Sequence, residues 1–123
     1  MIRGIGLDLC EIRRMELAIA HPHFLERVFS PEEQAYILSK GKMSGQTAAG
    51  LYAAKEAFLK AVGTGITSLN LCEIRVSHDE KGAPFYRPED SQQARLSELG
   101  IRNAFLSITH EGGMAAAVCV LEG

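Results

Sequence analysis

The sequence predicts an α+β fold, with helices concentrated in the first half of the chain and packed on an antiparallel sheet. Three observations carry this. The stretch from Tyr52 to Val62 is rich in Ala, Leu, Glu and Lys and contains nothing that interrupts a helix. Residues 104–109 and 114–121 are strand-like runs on either side of Glu111-Gly112-Gly113, the pattern of a β-hairpin. Residues 2–9 alternate glycine with Ile5, Leu7 and Leu9, as expected of a strand whose backbone has close neighbours. No repeat, low-complexity run or linker divides the 123 residues, so one domain spans 1–123.

The elements follow in order. The alternation in the first strand places Asp8 on the face opposite its aliphatic residues, near the strand's end. Residues 11–20 have the pattern of a short amphipathic helix, stopped before His21-Pro22. Ser30-Pro31-Glu32-Glu33 is a helix start: Ser30 caps, Pro31 suits the first turn and Glu33 completes a capping box. That helix runs to about Lys40, and Gly41 to Gly45 forms a break. Ser44 or Thr47 is positioned to cap the central helix, which Gly63-Thr64-Gly65 ends. Residues 71–78 then alternate, with Ile74 and Val76 facing one way and Glu73, Arg75 and Ser77 the other. Asp79 to Gly82 is a turn, and Ala83 to Tyr86 returns as a second strand. Residues 90–99 form a helix capped by Asp90 and ended by Gly100. The last strand, Met114 to Leu121, is apolar on both faces and should be covered on both sides. In so small a domain that fits oligomerisation, or a central position in the sheet of a single chain.

Composition narrows the function. A net charge of −2 argues against a general nucleic-acid binder. No segment approaches the ~20 apolar residues of a membrane span. The opening Met-Ile-Arg-Gly-Ile-Gly lacks the apolar centre of a signal peptide, so the expected compartment is the cytoplasm. Cys10, Cys72 and Cys119 are odd in number and widely spaced, which fits reduced thiols rather than disulfides or a zinc site. Arg13, Arg14 and Arg27 could form a basic patch for an acidic partner, although Glu11, Glu16 and Glu26 are interleaved with them.

The central helix carries the chemistry. Glu56 and Lys60 are four residues apart and share a face one turn from the glycine break. By itself this is the spacing of a common solvated surface pair. Beside a glycine turn it also fits phosphate chemistry, since a carboxylate can hold a divalent metal while a lysine and free amides hold phosphate.

The order of motifs gives that pair its meaning. Ile5-Gly6-Leu7-Asp8 followed by Glu11-Ile12-Arg13-Arg14, then Phe29-Ser30-Pro31-Glu32-Glu33, then Ala53-Ala54-Lys55-Glu56-Ala57-Phe58 running into Gly63-Thr64-Gly65-Ile66, then Gly82-Ala83-Pro84 and Ser107-Ile108-Thr109-His110 span the chain. In this sequence and at these separations they resemble holo-acyl-carrier-protein synthase, the small bacterial-type member of the 4′-phosphopantetheinyl transferases. The resemblance implies that fold and a magnesium-dependent transfer of the phosphopantetheine arm of coenzyme A onto a serine of apo-acyl carrier protein, releasing adenosine 3′,5′-bisphosphate.

The resemblance also implies roles. Asp8 and Glu56 match the family's metal-binding carboxylates. Lys60 would contact the phosphate under attack or the leaving group. Gly63, Thr64 and Gly65 would pass close to coenzyme A. Pro84 and the segment containing Thr109 and His110 match regions around the nucleotide. Arg13, Arg14 and Arg27 would receive the acidic carrier protein. The serine proton would go to Glu56 or to a metal-bound water. Members of this length usually form trimers with active sites shared between neighbouring subunits. Many carry Arg-Phe where this chain has Leu51-Tyr52, so the cation lost at Leu51 would be replaced by Lys55 or by an arginine elsewhere. A binding module without transfer and a magnesium-dependent phosphohydrolase are the rival readings.

Overall fold

The computed structural model describes residues 1–63 and 69–123. Strand β1 (Ile2–Glu11) leads into α1 (Ile12–Ala18), α2 (Pro22–Val28), α3 (Pro31–Leu38), one turn of 3-10 helix and the long α4 (Ser44–Val62). After a second 3-10 turn come β2 (Val76–His78), β3 (Pro84–Tyr86), α5 (Asp90–Glu98), β4 (Asn103–Glu111) and β5 (Met114–Glu122). The order β1-β5-β4 makes a three-stranded antiparallel sheet, and β2 pairs with β3 in a separate two-stranded one. This is the expected α+β arrangement.

Close packing of α4 on β1 sets the position of everything else. A Cβ on Gly4 would lie 1.9 Å from the Ala61 carbonyl oxygen, and one on Gly6 would lie 1.8 Å from that of Ala57. Only glycines on the strand, facing alanines on the helix, allow the two backbones to meet at that distance. The alternation that seats Gly4 and Gly6 on the helix also turns Asp8 and Cys10 to that side and Ile5, Leu7 and Leu9 away from it.

Several local signals act as their chemistry predicts. Ser30 and Glu33 form a reciprocal capping box at the start of α3. Gly63 ends α4 at φ 89°, a conformation that favours glycine, and its N–H is already used by the Leu59 carbonyl. Gly112 and Gly113, at φ 58° and 78°, make the two-residue hairpin turn between β4 and β5. Asp79 Oδ1 accepts from the N–H groups of Lys81 and Ala83, closing the turn before β3.

Other expectations are corrected. Residues 22–28, to which the sequence pattern assigns no element, form a helix with Pro22 at its first position. Neither Ser44 nor Thr47 caps α4: Met43 is the cap residue, and Ser44 Oγ donates backwards to the carbonyls of Ile37 and Gly41. Helix α5 is capped by Glu89 rather than Asp90, without a side-chain bond. The strand expected from residue 71 begins at Val76, because residues 71–73 turn as 3-10 helix; Ile74 and Val76 are nevertheless both buried. The inner face of β5 (Ala115, Ala117, Cys119, Leu121) is buried as expected. Its outer face is only half-buried within the chain, where covering on both sides was expected. The thiols of Cys10, Cys72 and Cys119 are all free.

Candidate active site

Beneath the site lies a clamp that holds α4. Lys55 is fully buried, and its ammonium donates to Glu33 Oε1 at 2.7 Å and to the carbonyls of Leu71 and Ile74 at 2.8 and 2.9 Å. Glu33 in turn accepts from the Ser30 and Val76 N–H groups. Burial lowers the affinity of this ammonium for its proton, and the Glu33 carboxylate opposes that fall. The network ties α4 to the start of α3 and to the segment entering β2. Lys55 is therefore committed to the interior and does not replace the cation missing at Leu51, which is itself buried. The capping box was legible in the sequence; its second use as the partner of Lys55 was not.

On the other side of α4, Lys60 reaches β1. Its ammonium donates to Asp8 Oδ1 at 2.9 Å and to the Leu7 carbonyl at 3.0 Å. The Asp8 side chain is 15% exposed and that of Lys60 54%, so the pair sits at the mouth of the site rather than inside it. Glu56, one turn before Lys60, is half-buried. Lys60 thus pairs with Asp8 and not with the i−4 carboxylate on its own helix. Tyr52, one turn before Glu56, has its hydroxyl held above the usual phenol range, first by burial and then by the Glu56 carboxylate beside it, with Arg14 acting in the opposite direction. The Cys10 thiol is also pushed up by burial and pulled down by Arg14. Asp8, Cys10, Arg14, Tyr52, Glu56 and Lys60 therefore form one neighbourhood.

Arg13 points elsewhere and pairs with Glu16 at 3.2 Å. Arg27 lines a cavity of about 440 Å3 together with Phe24, Tyr52 and Leu71, so Tyr52 stands between that cavity and the carboxylates. The three arginines do not form one patch.

Pro84 and His110 meet beside the N-terminal half of α4. They line a cleft of about 250 Å3 with Gln46, Gly50, Leu51 and the stacked rings of Tyr36 and His78. Gln46 Nε2 lies 3.1 Å from His110 Nε2. Thr109 departs from this group: it pairs with Ala116 in the row of Leu9, on the outer face of the sheet. No hydrogen bond or ion pair among the described residues joins the Pro84–His110 cleft to the Asp8–Lys60 pair. The expected nucleotide contacts Thr64 and Gly65 lie outside the described residues.

Two hard oxygen donors, Asp8 and Glu56, suit magnesium. No group of three or more His, Cys, Asp or Glu converges among the described residues, which thus offer too few ligands for an all-protein site. That donor set fits an ion completed by substrate oxygens and water.

A family model for the 4′-phosphopantetheinyl transferase superfamily matches residues 4–119. The holo-[acyl-carrier-protein] synthase of Treponema denticola is 42% identical over 123 residues, covering 100% of both chains. The crystal structure of the Neisseria meningitidis holo-[acyl-carrier-protein] synthase superposes with a TM-score of 0.90 at 35% identity, again over 100% of both chains. The Helicobacter pylori enzyme, solved in complex with coenzyme A, gives 0.81 at 34% identity, covering 96% of this chain and 99% of the other. By the family match over nearly its whole length and its full-length relatives, the chain belongs to the holo-[acyl-carrier-protein] synthase family of the 4′-phosphopantetheinyl transferase superfamily.

Proposed function

We propose that this protein transfers the 4′-phosphopantetheine arm of coenzyme A to a serine of apo-acyl carrier protein, with release of adenosine 3′,5′-bisphosphate, in cytoplasmic fatty acid biosynthesis. The observation that carries the reading is the meeting of Asp8 and Lys60 across β1 and α4, one turn from Glu56. It gives one neighbourhood both the acceptors for a divalent ion and a cation for phosphate.

Asp8 and Glu56 would hold Mg2+. When bound, the ion neutralises charge on the pyrophosphate of coenzyme A. The chain's own groups do the rest. Lys60, half-exposed and on a flexible stem, is placed to bind the phosphate under attack or the one that departs. Glu56 is the protein group that would accept the serine proton, if it does not go to water on the metal. Arg14 lies at the edge of this neighbourhood, where an acidic carrier protein would present its serine. Arg13, paired with Glu16, and Arg27, at the separate cavity beside Tyr52, would meet the carrier protein only at separate points.

Two features support a homotrimer with shared sites. The outer face of the sheet carries the apolar rows Ile5–Val120–Phe105, Leu7–Val118 and Leu9–Ala116. Ile5, Leu7 and Leu9 are 62%, 63% and 63% exposed, a contiguous apolar surface that a lone chain leaves in water. The proposed nucleotide residues Pro84 and His110 line a cleft beside the N-terminal half of α4, whereas Lys60 lies near its C-terminal end, and a neighbouring subunit would bring one set to the other. Gly63, Thr64 and Gly65 would complete the coenzyme A contacts.

The test is intact-mass measurement of apo-acyl carrier protein after incubation with this protein, coenzyme A and Mg2+, with an EDTA control. A metal-dependent gain of one phosphopantetheine arm is expected. Free phosphopantetheine would indicate a hydrolase, and coenzyme A binding without any gain would indicate a binding module.

A further inference from the structure

We infer that Lys60 is a placeholder cation: in the protein without substrate it occupies the Asp8 carboxylate that the divalent ion later uses, so the ion enters with coenzyme A rather than before it. This rests on the metal and coenzyme A reading given above.

Asp8 cannot comfortably stand alone. Its side chain is mostly withdrawn from solvent, and an unpaired carboxylate in that position is costly. Lys60 resolves this with two bonds to the same strand, one to Asp8 Oδ1 and one to the Leu7 carbonyl. Its own side chain remains more than half exposed, so it can leave without breaking any packing. Lys55, held by three acceptors in the core, lacks that freedom.

The ion is poorly equipped to displace Lys60 unaided. Two carboxylates leave most of an octahedral shell to be filled, and no further acidic, histidine or cysteine side chain joins them among the described residues. A pyrophosphate supplies the missing oxygens and at the same time gives the ammonium a new anionic partner. Lys60 would then pass from Asp8 to phosphate as the ion takes its place. The two cations exchange one carboxylate, and coenzyme A drives the exchange.

Direct Mn2+ titration by paramagnetic resonance reads this without turnover, on the full chain, with and without coenzyme A. Wild-type protein should bind Mn2+ weakly alone and more tightly with coenzyme A. Without coenzyme A, Lys60→Gln should bind about tenfold more tightly than wild type, since a charge-assisted bond no longer competes. It should also gain less from coenzyme A, whereas Lys60→Arg should stay close to wild type. Unchanged or weaker binding by Lys60→Gln without coenzyme A would overturn the inference. So would a gain that vanishes at high salt, because that is the mark of long-range repulsion. Asp8→Asn tests the underlying site: loss of binding upholds the metal assignment whatever Lys60 does, while wild-type binding would remove both.

Discussion

Lys55 and Lys60 stand five residues apart on α4, and each meets a carboxylate from another element, but the two pairs serve opposite ends. Lys55 and Glu33 are 0% and 2% exposed, and every acceptor around the ammonium belongs to the protein. Lys60 and Asp8 are 54% and 15% exposed, with one side of the ammonium open to solvent. A buried pair whose hydrogen bonds are all satisfied is costly to break and has nothing to exchange with. A pair at the mouth of a site contributes little to stability and can trade partners. The first fixes the helix; the second is available to chemistry.

The sharpest break of this comparison is at Lys55. Lys55→Met leaves the Glu33 carboxylate buried without its partner and should cost about 3–5 kcal/mol in urea denaturation. Lys55→Met combined with Glu33→Gln removes both charges and should recover part of the loss. If the single substitution costs no more than a surface pair, the clamp reading fails.

The same operation on the other pair should leave the fold and stop the reaction. Asp8→Asn should change stability by less than about 1 kcal/mol, because it removes the carboxylate charge itself and leaves unpaired only the half-exposed Lys60 ammonium. Its rate of arm transfer should fall at least about a hundredfold, equivalent to about 2.7 kcal/mol of barrier. Comparable losses of folding free energy for Asp8→Asn and Lys55→Met would erase the distinction between the two pairs.

Between these lies the contact that brings the pairs onto one scaffold. Gly6→Ala would place a methyl group 1.8 Å from the Ala57 carbonyl oxygen, so α4 must shift from β1. A destabilisation of about 1–3 kcal/mol is expected from such overpacking. Transfer should fall further than the remaining folded fraction accounts for, because Asp8 sits on the strand and Glu56 and Lys60 on the helix. A rate that simply tracks the folded fraction would show that the spacing between strand and helix does not govern the site.

Much of this was written in local sequence. The capping box at Ser30 and Glu33, the alternation that turns Asp8 inward and the glycines at 112 and 113 are short-range signals, and each acts as its chemistry dictates. The central helix was legible from composition, though its cap was not, because Ser44 Oγ finds carbonyl acceptors behind it instead of the N–H groups ahead. The partners of both lysines were hidden. Spacing offered Lys60 the carboxylate one turn away, but the strand supplies two acceptors together, Asp8 and the Leu7 carbonyl. Likewise no local pattern links Lys55 to Glu33, 22 residues away in the chain. The division between the Pro84–His110 cleft and the carboxylates also comes from tertiary placement, since Pro84 on β3 and His110 on β4 meet the first half of α4 while Asp8 on β1 meets its end.

His78 lies between the two extremes and predicts the smallest effect. Its ring is partly buried, stacked on Tyr36 with centroids 4.2 Å apart, and Lys40 lies over the Tyr36 ring. Burial, then the Lys40 charge, holds its proton affinity below the usual histidine value of 6.5, against weaker pulls from Asp79 and Glu33. The sign follows from proton uptake. As pH falls through 6.5 the unfolded chain protonates first, so His78 contributes fully above 6.5 and the contribution is lost as pH drops through the lower folded value. His78→Phe keeps a ring against Tyr36 and removes the charge. Urea denaturation at about pH 7.5 and about pH 5 should show wild type losing more stability on acidification than the variant. Equal losses would mean that the ring is as free to take a proton as an exposed histidine, and that a half-buried group here already behaves like the open pair at Lys60 rather than the closed one at Lys55.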